Sequence, residues 1–301
     1  MAWLLLTNPQ TPGRLRELRA RRPRRCATRR TAPASPLRLW LLDAPIDVAT
    51  SDQMAQRLLE LAAHGRAAVA MGANAHTLTL AQEQPAYRAL LQQAEVIFAD
   101  GQGVVWAARW CGLPASGDYR GQAGARRIER ANFLNIYEAL LAACARRGAR
   151  CYVLGGRPGI AERATQALAR RWPGLAVVGA HDGYFSEAEA AAVAAEIRRA
   201  APDLVLVGLG SPRQETWAMR YREAAGARLY WCVGASLEIL AGEEPATPRW
   251  MQRAGVEWCF RLLRHPRRFW RRYLLGLPRF VWLVLRWRWQ RWLDARPAPE
   301  T

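Results

Sequence analysis

Asp203-Leu-Val-Leu-Val207 running into Gly208-Leu-Gly-Ser-Pro-Arg-Gln-Glu215 is the stretch on which the fold turns. The apolar, β-branched run has the character of a buried parallel strand, and Thr216 to Ala225 reads as a helix. Two glycines, a hydroxyl, a proline and three polar side chains therefore sit at a strand-to-helix junction. On an open α/β sheet that is where ligands bind. Gly208 and Gly210 let the backbone approach a ligand. Ser211 is placed to cap the helix, with Pro212 in its first turn. Arg213, Gln214 and Glu215 project from that turn, where free N–H groups favour an anion. Taken locally, a well-capped helix explains the stretch as well as a ligand site does.

Working outward, apolar runs alternate with amphipathic stretches from Leu39 onward. Strands are expected at 39–42, 67–71, 96–99, 150–154, 175–178, 204–207 and 229–233. Helices are expected at 50–64, 77–92, 103–111, 133–147, 158–171, 186–201, 213–225 and 235–241. The alternation predicts an α/β fold, a Rossmann-like doubly wound and mostly parallel sheet. Five of the strands are followed by glycine: Gly72-Ala-Asn74, Asp100-Gly101, Gly155-Gly156, Gly208 to Gly210, and Gly234-Ala-Ser-Leu-Glu238. Five such ends argue for one convergent site. No single turn is specific, and Gly155 to Gly159 lacks the phosphate-loop Lys. Asp118 to Gly124 reads as a loop.

The chain has 301 residues and a formal net charge of +19. Residues 1–38 carry ten Arg against one acid, and 249–301 carry thirteen against three, while the body between is neutral. Residues 1–37 read as a disordered basic extension, or as the product of a start codon placed too far upstream. The α/β domain is expected at 38–248. Residues 249–301 are expected to be a helical, Arg- and Trp-rich appendage, broken into shorter helices by Pro266 and Pro278. Seven of the fourteen Trp lie there, interleaved with Arg and with the apolar block Phe280 to Leu285. Trp and Arg on one surface suit an anionic membrane interface. Each Arg near such a surface contributes ~1 kcal/mol. No apolar run reaches the ~18 residues of a membrane span. The six Cys show no CxxC spacing and the four His no cluster, so neither metal nor disulfide framework is expected, and the thiols suit a cytosolic protein.

These residues together resemble the WecG/TagA/CpsF glycosyltransferases, glycosyltransferase family 26. Gly208 to Glu215 is similar to that family's Gly-Ser-Pro-Lys/Arg-Gln-Glu signature. Ala99-Asp100-Gly101, Asn74, Leu154-Gly-Gly-Arg-Pro158, Asp182-Gly-Tyr-Phe185, Val233-Gly234 and Val256-Glu-Trp-Cys-Phe-Arg-Leu262 follow in family order. The resemblance implies metal-independent, inverting transfer from a UDP-sugar to a polyprenyl-diphosphate-linked glycan, without a cofactor, at the cytoplasmic face of the cell membrane. It places the general base on Asp100. It assigns substrate contacts to Asn74, Gly101, Arg130, Gly155, Gly210, Ser211, Arg213, Gln214, Glu215, Gly234, Glu238 and Arg261, with Arg267 and Arg268 as further cations for the diphosphates.

Some positions depart from the family's pattern: Gly72 stands for Thr, Glu238 for Asp, Ala246 for Arg, and Phe133 and Asn135 for Gly and Asp. A catalytically impaired UDP-sugar-binding homologue is the first alternative these departures leave open. A nucleic-acid-binding protein driven by the two basic ends is the second, disfavoured by the neutral body. Sugar, acceptor glycan and oligomeric state, a homo-oligomer included, stay open.

Overall fold

The computed structural model describes residues 38–111, 128–131 and 133–294, and side chains at 133–135 are outside that description. The expected basic extension at 1–37, the loop at 118–124, the end of the appendage and the side chains of Phe133 and Asn135 thus lie outside the described residues.

Strands β1 (Arg38–Leu41) and β2 (Ala44–Asp47) form an antiparallel hairpin apart from the main sheet. β1 is the strand expected at 39–42, but its antiparallel partner β2 was not legible in the sequence. Its turn, Leu42-Asp43, has φ of 51° and 57°, a conformation that usually draws Asn or Gly. Leu42 is only 1% exposed, so burial holds the turn where turn chemistry does not. Asp47 then ties the hairpin to the sheet edge. One carboxylate oxygen accepts the Ile97 N–H at 2.8 Å and the other pairs with Arg38 at 2.8 Å.

Helix α1 (Ser51–His64) opens on a capping box between Thr50 and Gln53. The main sheet follows: β3 (Ala68–Ala73), helices α2 (Ala75–Glu83) and α3 (Pro85–Gln93), then β4 (Val96–Ala99). The single helix expected at 77–92 is two, because Pro85 lacks the N–H that would continue it and starts α3 instead. Next come α4 (Gln102–Trp110), α5 (Phe133–Arg146), β5 (Arg150–Gly155), α6 (Ile160–Arg171) and β6 (Ala176–His181). Then α7 (Ala190–Ala200), β7 (Leu204–Gly208), α8 (Arg213–Ala225), β8 (Leu229–Cys232) and α9 (Ser236–Leu240) complete the α/β part. The six strands are all parallel, in the order β4-β3-β8-β7-β5-β6. This is the doubly wound, Rossmann-like sheet expected from the alternation.

Side chains alternate between two cores, as strand geometry requires. Val69, Met71, Val205 and Val207 face one, with α2, α3, α4, α7 and α8. Ala68, Ala70, Leu204 and Leu206 face the other, with α1, α5, α6 and α9. Both faces of the central strands are covered, so β3, β7 and β8 are apolar along their whole length.

Beyond Pro248 the described chain is helical: α10 (Arg249–Ala254), α11 (Glu257–Arg264), α12 (Pro266–Trp270), a π-helical turn at Arg271–Leu275 and α13 (Gly276–Asp294). Pro266 starts a helix, but Pro278 does not break one. It falls in the first turn of α13, directly after the wide π turn, where Gly276 N–H bonds back to the Arg271 carbonyl. The residues from Pro266 to Asp294 therefore run on as one helical rod. Phe280, Val284 and Trp287, at i, i+4 and i+7, bury one face of α13 in the core that also holds α2 and α4. No helix among the described residues is long and apolar enough to cross a membrane.

Candidate active site

All six parallel strands deliver their carboxyl ends to one cleft of about 1320 Å³. Gly72 and Asn74 come from the end of β3, Asp100 and Gly101 from β4, and Gly156 from β5. Gly183 and Tyr184 follow β6, Gly208 to Ser211 follow β7, and Val233 and Gly234 follow β8. Helices α11 and α13 and the turn between them close the other side. Five glycine-bearing strand ends were expected to converge, and these ends do lie around one space.

Asp100 sits on the floor. Its backbone N–H bonds to the Ala73 carbonyl, and so does that of Gly101, which pins the end of β4 against the end of β3. Asn74 caps α2, its Oδ1 accepting the N–H groups of His76 and Thr77 at 3.0 and 3.2 Å. With Oδ1 occupied by the helix, its amide hydrogen-bonds the Asp100 carboxylate. Burial pushes the Asp100 carboxyl above the ordinary range, while Arg261, the Asn74 hydrogen bond, Arg272 and Arg130 pull it back. Burial wins, and the group is held as a carboxyl that can exchange a proton with a ligand.

Gly72 explains itself here. A Cβ at that position would lie 2.9 Å from Asp100 Cβ, so the Asp100 side chain occupies the space that a residue with a side chain would need. The same logic applies at Gly155, where φ is +135° and a Cβ would lie 2.4 Å from the Gly208 carbonyl oxygen. Gly155 lets β5 and β7 approach and does not itself line the cleft.

Around Asp100 lie charges of both signs. Arg130, the expected binding residue on the segment before α5, pairs with Glu257 at 3.1 Å. Burial raises Glu257, against the pull of Arg130 and Arg261, and the Asp100 charge adds to the rise. Arg272 reaches Asn74 Oδ1 at 3.5 Å. Burial first, and then Arg272, pull His76 down to about 4, so its imidazole is neutral near pH 7. Glu257, Arg272 and His76 were not among the site residues expected from sequence. Glu257 lies inside the family-like Val256 to Leu262 run and His76 two residues beyond Asn74, but nothing local marked Arg272.

The Gly210 to Glu215 stretch behaves differently from its sequence reading. Ser211 does not cap α8. Its hydroxyl donates to Glu215 Oε1 at 2.7 Å, and the helix starts at Arg213 with no side-chain cap. A carboxylate buried four residues on is the stronger acceptor for that hydroxyl. Glu215 is 1% exposed and lies behind the cleft wall, not on it. Burial raises its carboxyl, opposed by hydrogen bonds from Gln214 and Ser211. Gln214 bridges two strand ends. Its Nε2 donates to Glu215 at 2.8 Å and its Oε1 accepts the Gly234 N–H at 3.0 Å. Arg213 reaches sideways, donating to the carbonyls of Gly183 and Phe185 and stacking 4.6 Å from the Phe185 ring centroid. It clamps the Asp182 to Phe185 loop to the β7 end, and it still borders the cleft.

Replacing Gln214 by Leu should therefore leave the Gly234 N–H only its long bond to the Val207 carbonyl at 3.4 Å and take a donor from the buried Glu215 carboxylate. A loss of about 1–3 kcal/mol of stability is expected, read as a lowered melting temperature. An unchanged melting temperature would show that this bridge does not hold the loops.

Glu238, in the place of a family Asp, is 9% exposed and faces Arg268 at 3.7 Å. Arg261 and Arg268 line the cleft, and Arg267 does not. Among the described residues no three His, Cys, Asp or Glu side chains gather as a metal-binding group.

A parallel doubly wound sheet with a carboxyl-edge cleft, raised carboxyls at Asp100 and Glu257 and a ring of arginines is the arrangement of an α/β enzyme. The family model of the WecG/TagA/CpsF glycosyl transferases matches residues 39–294, and the chain belongs to that family. It is thus a glycosyltransferase, of a family that serves cell-envelope polysaccharide biosynthesis.

Proposed function

We propose that the protein transfers a sugar from a UDP-sugar to a polyprenyl-diphosphate-linked saccharide, with inversion and without a metal. Asp100 carries the reading: at the end of β4 its carboxyl is raised by burial among Arg261, Arg272 and Arg130, whereas Glu257, raised too, is paired with Arg130 at 3.1 Å. In the step, an acceptor hydroxyl attacks the anomeric carbon and its proton passes to Asp100. The new C–O bond forms as the bond to UDP breaks, and the electron pair leaves with the diphosphate. Arg261 and Arg268 offset that charge, the role a metal cation would otherwise fill. Asn74 orients Asp100. Gln214 and Arg213 hold the β7, β8 and β6 loops in the shape that receives the nucleotide.

The protein works at the inner face of the cell membrane in this reading. Trp282, Leu285 and Trp289 form an outward stripe on α13, and all three are exposed. Arg286 lies over Trp282 and Arg291 over Trp287. Rings with cations beside them fit a headgroup region that is anionic.

A thermal-shift panel tests the donor. One UDP-sugar should raise the melting temperature several degrees more than UDP alone, because a ligand that binds only the native state stabilises it. No response to UDP or any UDP-sugar, with retention on DNA that falls steeply with salt, would replace this reading by a nucleic-acid-binding one.

A further inference from the structure

The cleft has a second character that the transfer chemistry leaves unused. Away from Asp100 it becomes apolar, between α2, α4 and α13. Leu80 on α2, Trp106 and Trp110 on α4, and Phe280, Val281 and Val284 on α13 all line it. Helix α4 offers the cleft residues at i and i+4, and α13 offers them at i, i+1 and i+4, so each gives one face. Helix α2 starts at Asn74 and α4 just after Gly101, the two residues beside Asp100. Both helices thus lead away from the cleft floor, and from Gln102 to Trp110 the α4 axis covers about 12 Å. Trp106, Trp110 and Val281 are 53%, 50% and 55% exposed, so the lane is open along its outer side. At its far end Arg279 is neutralised by Glu83 at 3.1 Å. At its near end, where the π turn runs into α13, stand Arg271 and Arg272.

We propose that this lane holds the first isoprene units of the acceptor, with its diphosphate on Arg271 and Arg272. The inference rests on the reading above that the acceptor is a polyprenyl diphosphate. An anionic head followed at once by an unbroken hydrocarbon needs cations at one end of a groove and, beyond them, only apolar groups or polar ones already paired, as Thr79 is with the Ala75 carbonyl and Glu83 with Arg279. The lane has that order, and a second sugar or a peptide would leave its own polar groups against Trp106, Phe280 and Val284 without partners. Exposed Val281 in the lane adjoins exposed Trp282 in the α13 stripe proposed to meet the membrane, so the rest of the lipid need not leave the bilayer.

Binding to the full-length protein tests it, with farnesyl diphosphate as the probe and inorganic diphosphate and dodecyl phosphate as references. Farnesyl diphosphate should bind at least tenfold more tightly than either. Val281→Asp and Trp106→Ala should cut that preference to below threefold. Both positions are about half exposed, so the variants should keep the melting temperature of the parent, which is checked alongside. Equal affinity for farnesyl and inorganic diphosphate, or a preference that survives both substitutions, would overturn the lane. Dodecyl phosphate bound as tightly as farnesyl diphosphate would overturn the isoprenoid assignment in favour of a general lipid chain. UDP binding and the Asp100 variant are read separately. If they fail while the farnesyl preference stands, the transfer reading is lost and the lane is kept.

Discussion

Asp100→Asn is expected to lower turnover by about a thousandfold, within the range that general-base catalysis contributes. The substitution keeps the shape of the side chain and its contact with Asn74, and removes only the ability to take a proton. The rise in melting temperature with UDP should persist, because no donor contact depends on that proton. In the parent protein, activity should climb with pH as Asp100 ionises, along a limb above the usual carboxylate range. Burial sets that displacement against Arg261, Arg272 and Arg130. In the Asn variant the limb should vanish. The stability effect has the opposite sign. A carboxyl raised in the folded state favours folding when protonated, and that advantage is lost as pH rises through its folded value. Asp100→Asn should therefore stabilise the protein at neutral pH, with the gain shrinking in acid. Full turnover in the variant would remove Asp100 from the role of base.

The second large effect is expected on the membrane. Replacing Trp282, Leu285 and Trp289 together by Ala should weaken binding to anionic vesicles by roughly a hundredfold. Each half-buried side chain is worth about 1 kcal/mol at the interface, and 1.4 kcal/mol is tenfold. The remaining attachment should fall with added salt, because what is left is the attraction of Arg to anionic lipid. Point substitutions are the right instrument. Deleting the rod from Pro266 would also strip Phe280, Val284 and Trp287 out of the core, and a lost protein would be indistinguishable from a lost anchor. Unchanged vesicle binding in the triple variant would show that this stripe is not the contact surface.

Much of the site was legible because its parts lie at strand ends, and strand ends can be read from apolar runs that stop at glycine. Asp100, Asn74 and the Gly208 to Glu215 stretch were found that way. The direction of their side chains was not legible. Ser211 read as the helix cap and Glu215 as a projecting first-turn group, but they face one another because Glu215 is on the buried side of α8. Pro278 read as a helix breaker by a rule that holds for regular α-helix, and the π turn before it supplies the exception.

By itself, the sequence determined that strands and helices alternate, that the sheet is parallel, that the carboxyl ends carry the polar residues, and that the basic charge sits at the chain ends. All of these follow from local periodicity and composition. Tertiary structure alone decided which charges meet. Arg130 and Glu257, Arg272 and Asn74, and Arg268 and Glu238 are far apart in the chain and become neighbours only when α11, α12 and the π turn fold back over the strand ends. The raised carboxyl of Asp100 has the same origin. Desolvation depends on everything that surrounds a group, and no window of sequence around Asp100-Gly101 contains what buries it.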